Sequence, residues 1–212
     1  MIRLLSILLL ALTFTTSLPA AAKVSPSDRV KATVDRVLEI LQDPKLGKDE
    51  RKDQVKTIVR ERFDYESMSQ VILAANWRKA TDAQREQFIT LFRELLEQTY
   101  FSAMDSYNNQ TVRMGRERLK GKLANVQTYI VASNKELPVS YKLRYRNDDW
   151  YAYDVAVDGV SLVSNYRTSF RNLVKTKGMD GLLAELAQKV ATLKSQNKKK
   201  EEQAVVEAPA QQ

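Results

Sequence analysis

Across residues 137–145 the chain alternates without a break. Leu137, Val139, Tyr141, Leu143 and Tyr145 are interleaved with Pro138, Ser140, Lys142 and Arg144. A period of two held this long specifies a strand with one face buried and the other wetted. Asn147-Asp148-Asp149 supplies a turn, and residues 150–157 form the return strand, with Tyr151, Tyr153, Val155 and Val157 on one face. Residues 111–114 and 126–131 read as further strands, so the short turns predict a twisted antiparallel meander of about four strands. A sheet with one apolar face must be covered. The cover has to come from the flanking chain, which makes the fold class α+β.

The flanks are helical by period. Ser25-Pro26-Ser27-Asp28 reads as a helix start, with Ser25 as the cap, and Val30, Val34, Val37, Leu38 and Leu41 follow at helical spacing. A second helix covers residues 49–63 with Val55, Ile58, Val59 and Phe63 as its stripe, and a short third follows Asp64. Residues 76–80 form a connector. Thr81-Asp82-Ala83-Gln84 is a capping box opening the longest helix, to about Tyr107. Its apolar arc holds Phe88, Leu91, Phe92, Leu95, Leu96, Tyr100, Ala103 and Tyr107. An arc that wide fits a helix buried against two neighbours, or one that also walls an apolar chamber. Helix returns after Gly159 with Val160, Val163, Tyr166, Phe170, Leu173 and Val174, and Gly178 reads as its end. A last helix carries Leu182, Leu183, Leu186, Val190 and Leu193. From about Ser195 the composition predicts a disordered tail, residues 195–212, with Lys198-Lys199-Lys200 as a solvated run.

The first residues stand apart. Met1-Ile2-Arg3 is a basic start, an apolar block follows, and Ala20-Ala21-Ala22 offers a small-residue cleavage site. This predicts a secretory signal peptide over residues 1–22, leaving a mature domain over 23–194 with helices 25–107, sheet 110–158 and helices 160–194. The chain holds no Cys and no His, which removes disulfides, thiolate nucleophiles, Ser-His-Asp triads and His-ligated zinc. Lack of thiols suits the periplasm. The formal net charge is +8. Outside the cytoplasm such a charge points away from nucleic acid and toward anionic lipid headgroups or an acidic protein partner.

Catalytic patterns are thin. Gly159-Val160-Ser161-Leu162-Val163 lies between strand and helix but lacks the second glycine of a nucleophile elbow, and no His can serve as base. Ser161 reads instead as a helix cap. Asp154 and Arg167 are expected to pair and orient that helix on the sheet. Glu61, Asp64 and Glu66 read as a helix junction, and Asp148-Asp149 as a solvated turn. No glycine-rich phosphate loop and no metal-ligating constellation is present in the sequence.

Two blocks carry a resemblance. The first is Phe63-Asp64, Trp77-Arg78-Lys79-Ala80-Thr81, Gln84, Phe88, Phe92 and Thr99-Tyr100. The second is Leu137-Pro138-Val139-Ser140-Tyr141, Trp150-Tyr151-Ala152-Tyr153-Asp154-Val155 and Asp158-Gly159-Val160-Ser161-Leu162-Val163-Ser164-Asn165-Tyr166-Arg167 with Phe170. In order and spacing this resembles the MlaC/toluene-tolerance family of periplasmic phospholipid-binding proteins of Gram-negative bacteria. The resemblance implies an NTF2-like sheet covered by about six helices, with an internal apolar cavity that takes the acyl tails of a phospholipid. It implies no enzyme activity, no cofactor beyond the lipid cargo, and a monomer. It also implies traffic between an inner-membrane ABC transporter complex bearing an MCE ring and an outer-membrane lipoprotein–porin complex, which maintains outer-membrane lipid asymmetry.

On that reading the expected cavity wall is Phe88, Leu91, Phe92, Leu95, Tyr100, Met104, Val139, Tyr141, Tyr153, Val155, Val163, Tyr166 and Phe170, with Val71 and Trp77 closing one end. The expected volume is about 1,000 Å³ or more. Two other readings stay open on sequence alone: a ligand-free periplasmic adaptor or chaperone with a filled core, and a lipid hydrolase using Ser161.

Overall fold

The computed structural model describes residues 24–207, apart from 102–103, 105–106, 108 and 133–134. The expected signal peptide, Ala103 and residues 208–212 of the expected tail lie outside the described residues. The helices are α1 (Pro26–Gln42), α2 (Lys48–Arg62), α3 (Tyr65–Leu73), α4 (Ala75–Lys79), α5 (Asp82–Tyr100) and α6 (Leu162–Glu207). The strands are β1 (Thr111–Lys120), β2 (Leu123–Ala132), β3 (Lys135–Arg146), β4 (Asp149–Val157) and the two-residue β5 (Val160–Ser161). All neighbours are antiparallel, in the order β1-β2-β3-β4-β5. The α+β meander expected from the sequence is therefore present, with one short strand added.

The helix starts follow their capping residues. Ser25 Oγ accepts from the Asp28 N–H at 3.0 Å, with Pro26 as the first helical residue. Thr81 and Gln84 form the reciprocal box, at 3.2 and 3.0 Å. Asp64 caps α3 through the Ser67 N–H at 3.0 Å. The connector over 76–80 is α4, a single short helix turning out of Ala74. The β3–β4 turn has positive φ at both Asn147 and Asp148, the hairpin geometry whose twist matches that of its strands.

Helix α5 ends at Tyr100, earlier than the apolar arc predicts. Helix α6 joins the two predicted C-terminal helices and bends at Gly178, where φ is 72°. It then runs to Glu207, in contrast to the disorder expected from Ser195. Polar contacts hold this extension. Lys194 bonds Glu94 at 2.9 Å, Asn197 donates to the Gln98 carbonyl at 2.8 Å, and Lys52 bonds Glu201 at 2.9 Å. Composition predicts whether a segment can bury apolar area; it does not report polar partners on elements far along the chain.

The described residues form two apolar clusters that meet at Phe63. In one, α3, α5 and α6 pack into a helical core around Met68, Ile72, Phe88, Phe92, Phe170 and Leu182. In the other, α1 and α2 face the sheet over a smaller cluster of Val30, Ala124, Val126, Leu143, Trp150 and Ala152. The chain crosses between them at Phe63-Asp64. There Phe63 bridges Ala152, and the Asp64 N–H donates to the Ala152 carbonyl at 2.8 Å. This is possible because β5 pairs only with Ala156 and Val157, leaving that edge of β4 free.

One register shift decides which residues meet which side. Tyr141 pairs with Val155 and Lys142 with Asp154, but Leu143 pairs with Ala152, so Tyr153 is an extra residue. A bulge of this kind reverses the alternation beyond it. The expected single face of Tyr151, Tyr153, Val155 and Val157 is therefore corrected. Trp150, Ala152, Val155 and Val157 turn toward α1 and α2, while Tyr153 packs on the helical core.

Candidate functional site

Between α1, α2 and the sheet lies a pocket of about 910 Å³. Its helical wall is Val30, Val34, Val37, Leu38 and Leu41 of α1 with Val55 and Val59 of α2. Its sheet wall is Val112, Ile130, Val139, Tyr141, Leu143, Ala152 and Val155. Tyr100, the last residue of α5, with Met104 and Tyr107 from the segment that follows it, borders one end together with Leu137, Val157 and Lys135. The volume is near the upper end of ordinary ligand pockets.

Helix α1 is held at its ends rather than along its length. At the start, the Ser27 N–H donates to Glu117 of β1 at 2.9 Å, and the Trp150 indole N–H donates to the Val24 carbonyl at 3.0 Å. At the finish, Gln42 donates to the Tyr107 hydroxyl at 2.8 Å. Between these anchors Val34, Val37, Leu38 and Leu41 are only half-buried. A helix suspended this way presents an apolar stripe to the sheet without closing on it.

Asp149 ties the base of the pocket together. Its carboxylate accepts from Arg29 of α1 at 2.7 Å, from Arg62 of α2 at 2.8 Å and from the Trp150 N–H at 2.8 Å. Burial opposes its ionisation. Donation from Trp150, Arg62 and Arg29 outweighs that cost and holds its pKa below the usual carboxylate value. The solvated turn expected at Asp148-Asp149 is thus corrected: Asp149 is the hub of a three-element clamp.

The expected wall residues divide between the pocket and the helical core. Tyr100, Met104, Val139, Tyr141 and Val155 line the pocket. Phe88, Phe92, Leu95, Val163 and Phe170 are buried in the helical core, with Val71, Trp77, Leu91, Tyr153 and Tyr166 packed against it. Phe88 and Phe92 stack at 5.8 Å, and Phe170 meets Phe88 edge-on at 5.7 Å. Tyr166 closes edge-on over Phe92 at 5.3 Å, and burial pushes its phenol up to about 12. Aromatic rings in such contacts fill space, so the wide arc of α5 reflects burial between α3 and α6 rather than a chamber.

The stripes of α1 and α2 were legible as amphipathic helices but carried no assignment to a site. Their signal was the side-chain type. Short branched residues on α1 leave room opposite a sheet, where the rings of α5 do not.

The expected Asp154–Arg167 pair does not form. Asp154, 2% exposed, accepts from Lys142 at 2.8 Å, from the Ser161 hydroxyl at 2.7 Å and from the Val163 N–H at 3.1 Å. Arg167 is exposed. Ser161 Oγ accepts from the Ser164 N–H at 3.1 Å, so Asp154 and Ser161 together cap α6. Asp64 is committed likewise, accepting from the Ser67 hydroxyl at 2.7 Å and pairing with Arg146 at 3.2 Å. Among the described residues no group of three or more acidic, His or Cys side chains could hold a metal, and no helix is long and apolar enough to cross a membrane.

Known proteins are similar to this chain in sequence and in fold. A family profile described as MlaC protein matches residues 31–188. The intermembrane phospholipid transport system binding protein MlaC of Haemophilus influenzae is 24% identical, over 80% of this chain and 84% of its own. The toluene tolerance protein ttg2D of Pseudomonas putida is 28% identical, over 75% of this chain and 77% of its own. Among solved structures, a phospholipid-binding protein from Ralstonia solanacearum in complex with a phospholipid superposes with a TM-score of 0.73 at 26% identity, covering 80% of this chain and 99% of that one. With the profile spanning most of the sequence and the fold shared over 80% of it, the chain belongs to the MlaC family.

Proposed function

We propose that this protein is a periplasmic phospholipid carrier that houses acyl tails in the pocket between α1, α2 and the sheet. The observation that carries the reading is the pocket itself: about 910 Å³, walled by aliphatic side chains, in a relative of phospholipid-binding proteins. The energetics explain why a carrier needs it. Burying a methylene is worth about 0.8 kcal/mol, so two tails of about 15 methylenes represent about 24 kcal/mol of exposure to water. A lipid cannot cross an aqueous compartment on its own at that cost. Headgroups would sit at the end bordered by the exposed Tyr100, Leu137 and Val157, where Lys135 and Glu136 both line the pocket. Tails would run toward Val30 and Trp150. The charged residues that line the pocket are Arg29 and Arg62, bound to Asp149 at its base, and Lys135 and Glu136 at the opposite end, and the aliphatic wall between them suits tails.

Within the cell this activity would link an inner-membrane ABC transporter complex bearing an MCE ring to an outer-membrane lipoprotein–porin complex. Its family and its leader-like start support that reading. The test is lipid extraction from purified protein followed by mass spectrometry. Wild-type protein should yield phospholipid. The double variant Val37→Glu, Leu38→Glu should remain folded by circular dichroism and yield none. Undiminished lipid in the folded variant would overturn the assignment of this pocket.

A further inference from the structure

A second concavity lies on the helical side of the molecule and shares no residue with the apolar pocket. It is a groove of about 540 Å³ between α4 and the part of α6 that precedes the Gly178 bend. Lys79, Arg171 and Lys175 line it, over a floor of Ala80, Val174 and Met179. The bend at Gly178, with φ 72°, is what brings Met179 to the groove. No carboxylate lines it. The nearest acidic groups on α6 are engaged elsewhere: Asp180 accepts from Gln84 at 2.6 Å, and Glu185 pairs with Lys177.

None of the three cations has a hydrogen bond or ion pair among the described residues. Arg171 and Lys175 are four residues apart on one helix, a spacing at which like charges repel. A countercharge in the groove would relieve that repulsion. Three long, exposed side chains spread along a groove suit several carboxylates on one chain better than a single phosphate, and an apolar floor offers a phosphate nothing. A concave site also cannot lie flush against a lipid surface.

We propose that this groove docks an acidic segment of a protein partner, with its carboxylates on Lys79, Arg171 and Lys175 and an apolar side chain on the Val174–Met179 floor. The proposal is independent of the lipid pocket and can fail without it.

The test is an NMR titration of the purified protein with a short peptide alternating glutamate and leucine. Inorganic phosphate and phosphatidylglycerol vesicles are run in parallel. The peptide should shift the amides of residues 76–80 and 171–179 saturably. Lys79→Glu with Lys175→Glu should weaken it about tenfold or more, while Lys198→Glu, Lys199→Glu and Lys200→Glu together should change it by less than about twofold. The milder pair Lys79→Gln and Lys175→Gln repeats the comparison should the charge reversals disturb folding. Four results would overturn the proposal: no saturable shift; equal weakening by the tail variant, which means net charge alone; the same shifts with phosphate, which means a simple anion site; or shifts with vesicles and not with peptide.

Discussion

Asp149 shows how much one carboxylate can organise. It sits where α1, α2 and the start of β4 meet, and its two arginine partners come from different helices. Asp149→Ala would leave Arg29 and Arg62 without it and loosen the base of the pocket. Chemical denaturation should show a loss of about 1.5–3 kcal/mol, the usual range for hydrogen bonds to charged groups. The pH dependence has a defined sign. Because the folded pKa is depressed, the ionised group stabilises the fold above the ordinary carboxylate range, and that contribution disappears as pH falls through the depressed value. Asp149→Asn should therefore lose less stability than wild type between about pH 5 and pH 3. An identical acid profile would show that Asp149 is not the hub.

Asp154 offers a sharper comparison at the same scale. It caps α6 and pairs with Lys142, so Asp154→Ala should cost about 2–4 kcal/mol, combining a lost cap with lost charged hydrogen bonds. Arg167→Ala should change stability by less than about 0.5 kcal/mol, as surface substitutions usually do. Thermal melts of the two variants decide the matter. A large effect at Arg167 would restore the pairing expected from sequence.

Among elements, α1 and α5 have opposite duties that their periodicity did not separate. Both are amphipathic, and the wider aromatic arc of α5 drew attention as a chamber wall. In the structure those rings fill the helical core. Phe92→Ala should therefore destabilise by about 3–5 kcal/mol while leaving lipid retention intact in whatever remains folded. The α1 pair Val37→Glu and Leu38→Glu should do the reverse, because both side chains are half-buried and face the pocket. Urea melts run beside lipid extraction distinguish the two patterns.

The same elements show what a sequence can and cannot disclose. Capping residues placed the starts of α1, α3 and α5, since these signals are local. The alternation of β3 was equally plain. The β4 face assignment failed because the bulge at Tyr153 exists only in the pairing of two strands and leaves no mark in either alone. The late course of α6 failed for a similar reason: its partners Gln98 and Lys52 lie far away in the chain. Half of the problem at the site was one of sidedness. Periodicity says that a stripe is covered, not whether a ring or a space covers it.

At the scale of the molecule, the chain builds two different interiors. Beside β4, α3, α5 and α6 form an aromatic core. In the other, α1 and α2 leave an aliphatic pocket between them and the strands. The division suits the proposed carrier: the filled side can hold β4 in place while the pocket side would admit and release cargo. The capped start of α6 and the Asp149 clamp fix the strand that both interiors share. Native mass spectrometry of the intact protein purified without detergent tests this division most directly. The account predicts a population heavier than the bare chain by the mass of glycerophospholipid, lost in the Val37→Glu, Leu38→Glu variant. Bare protein alone, from wild-type preparations that remain folded, would contradict it.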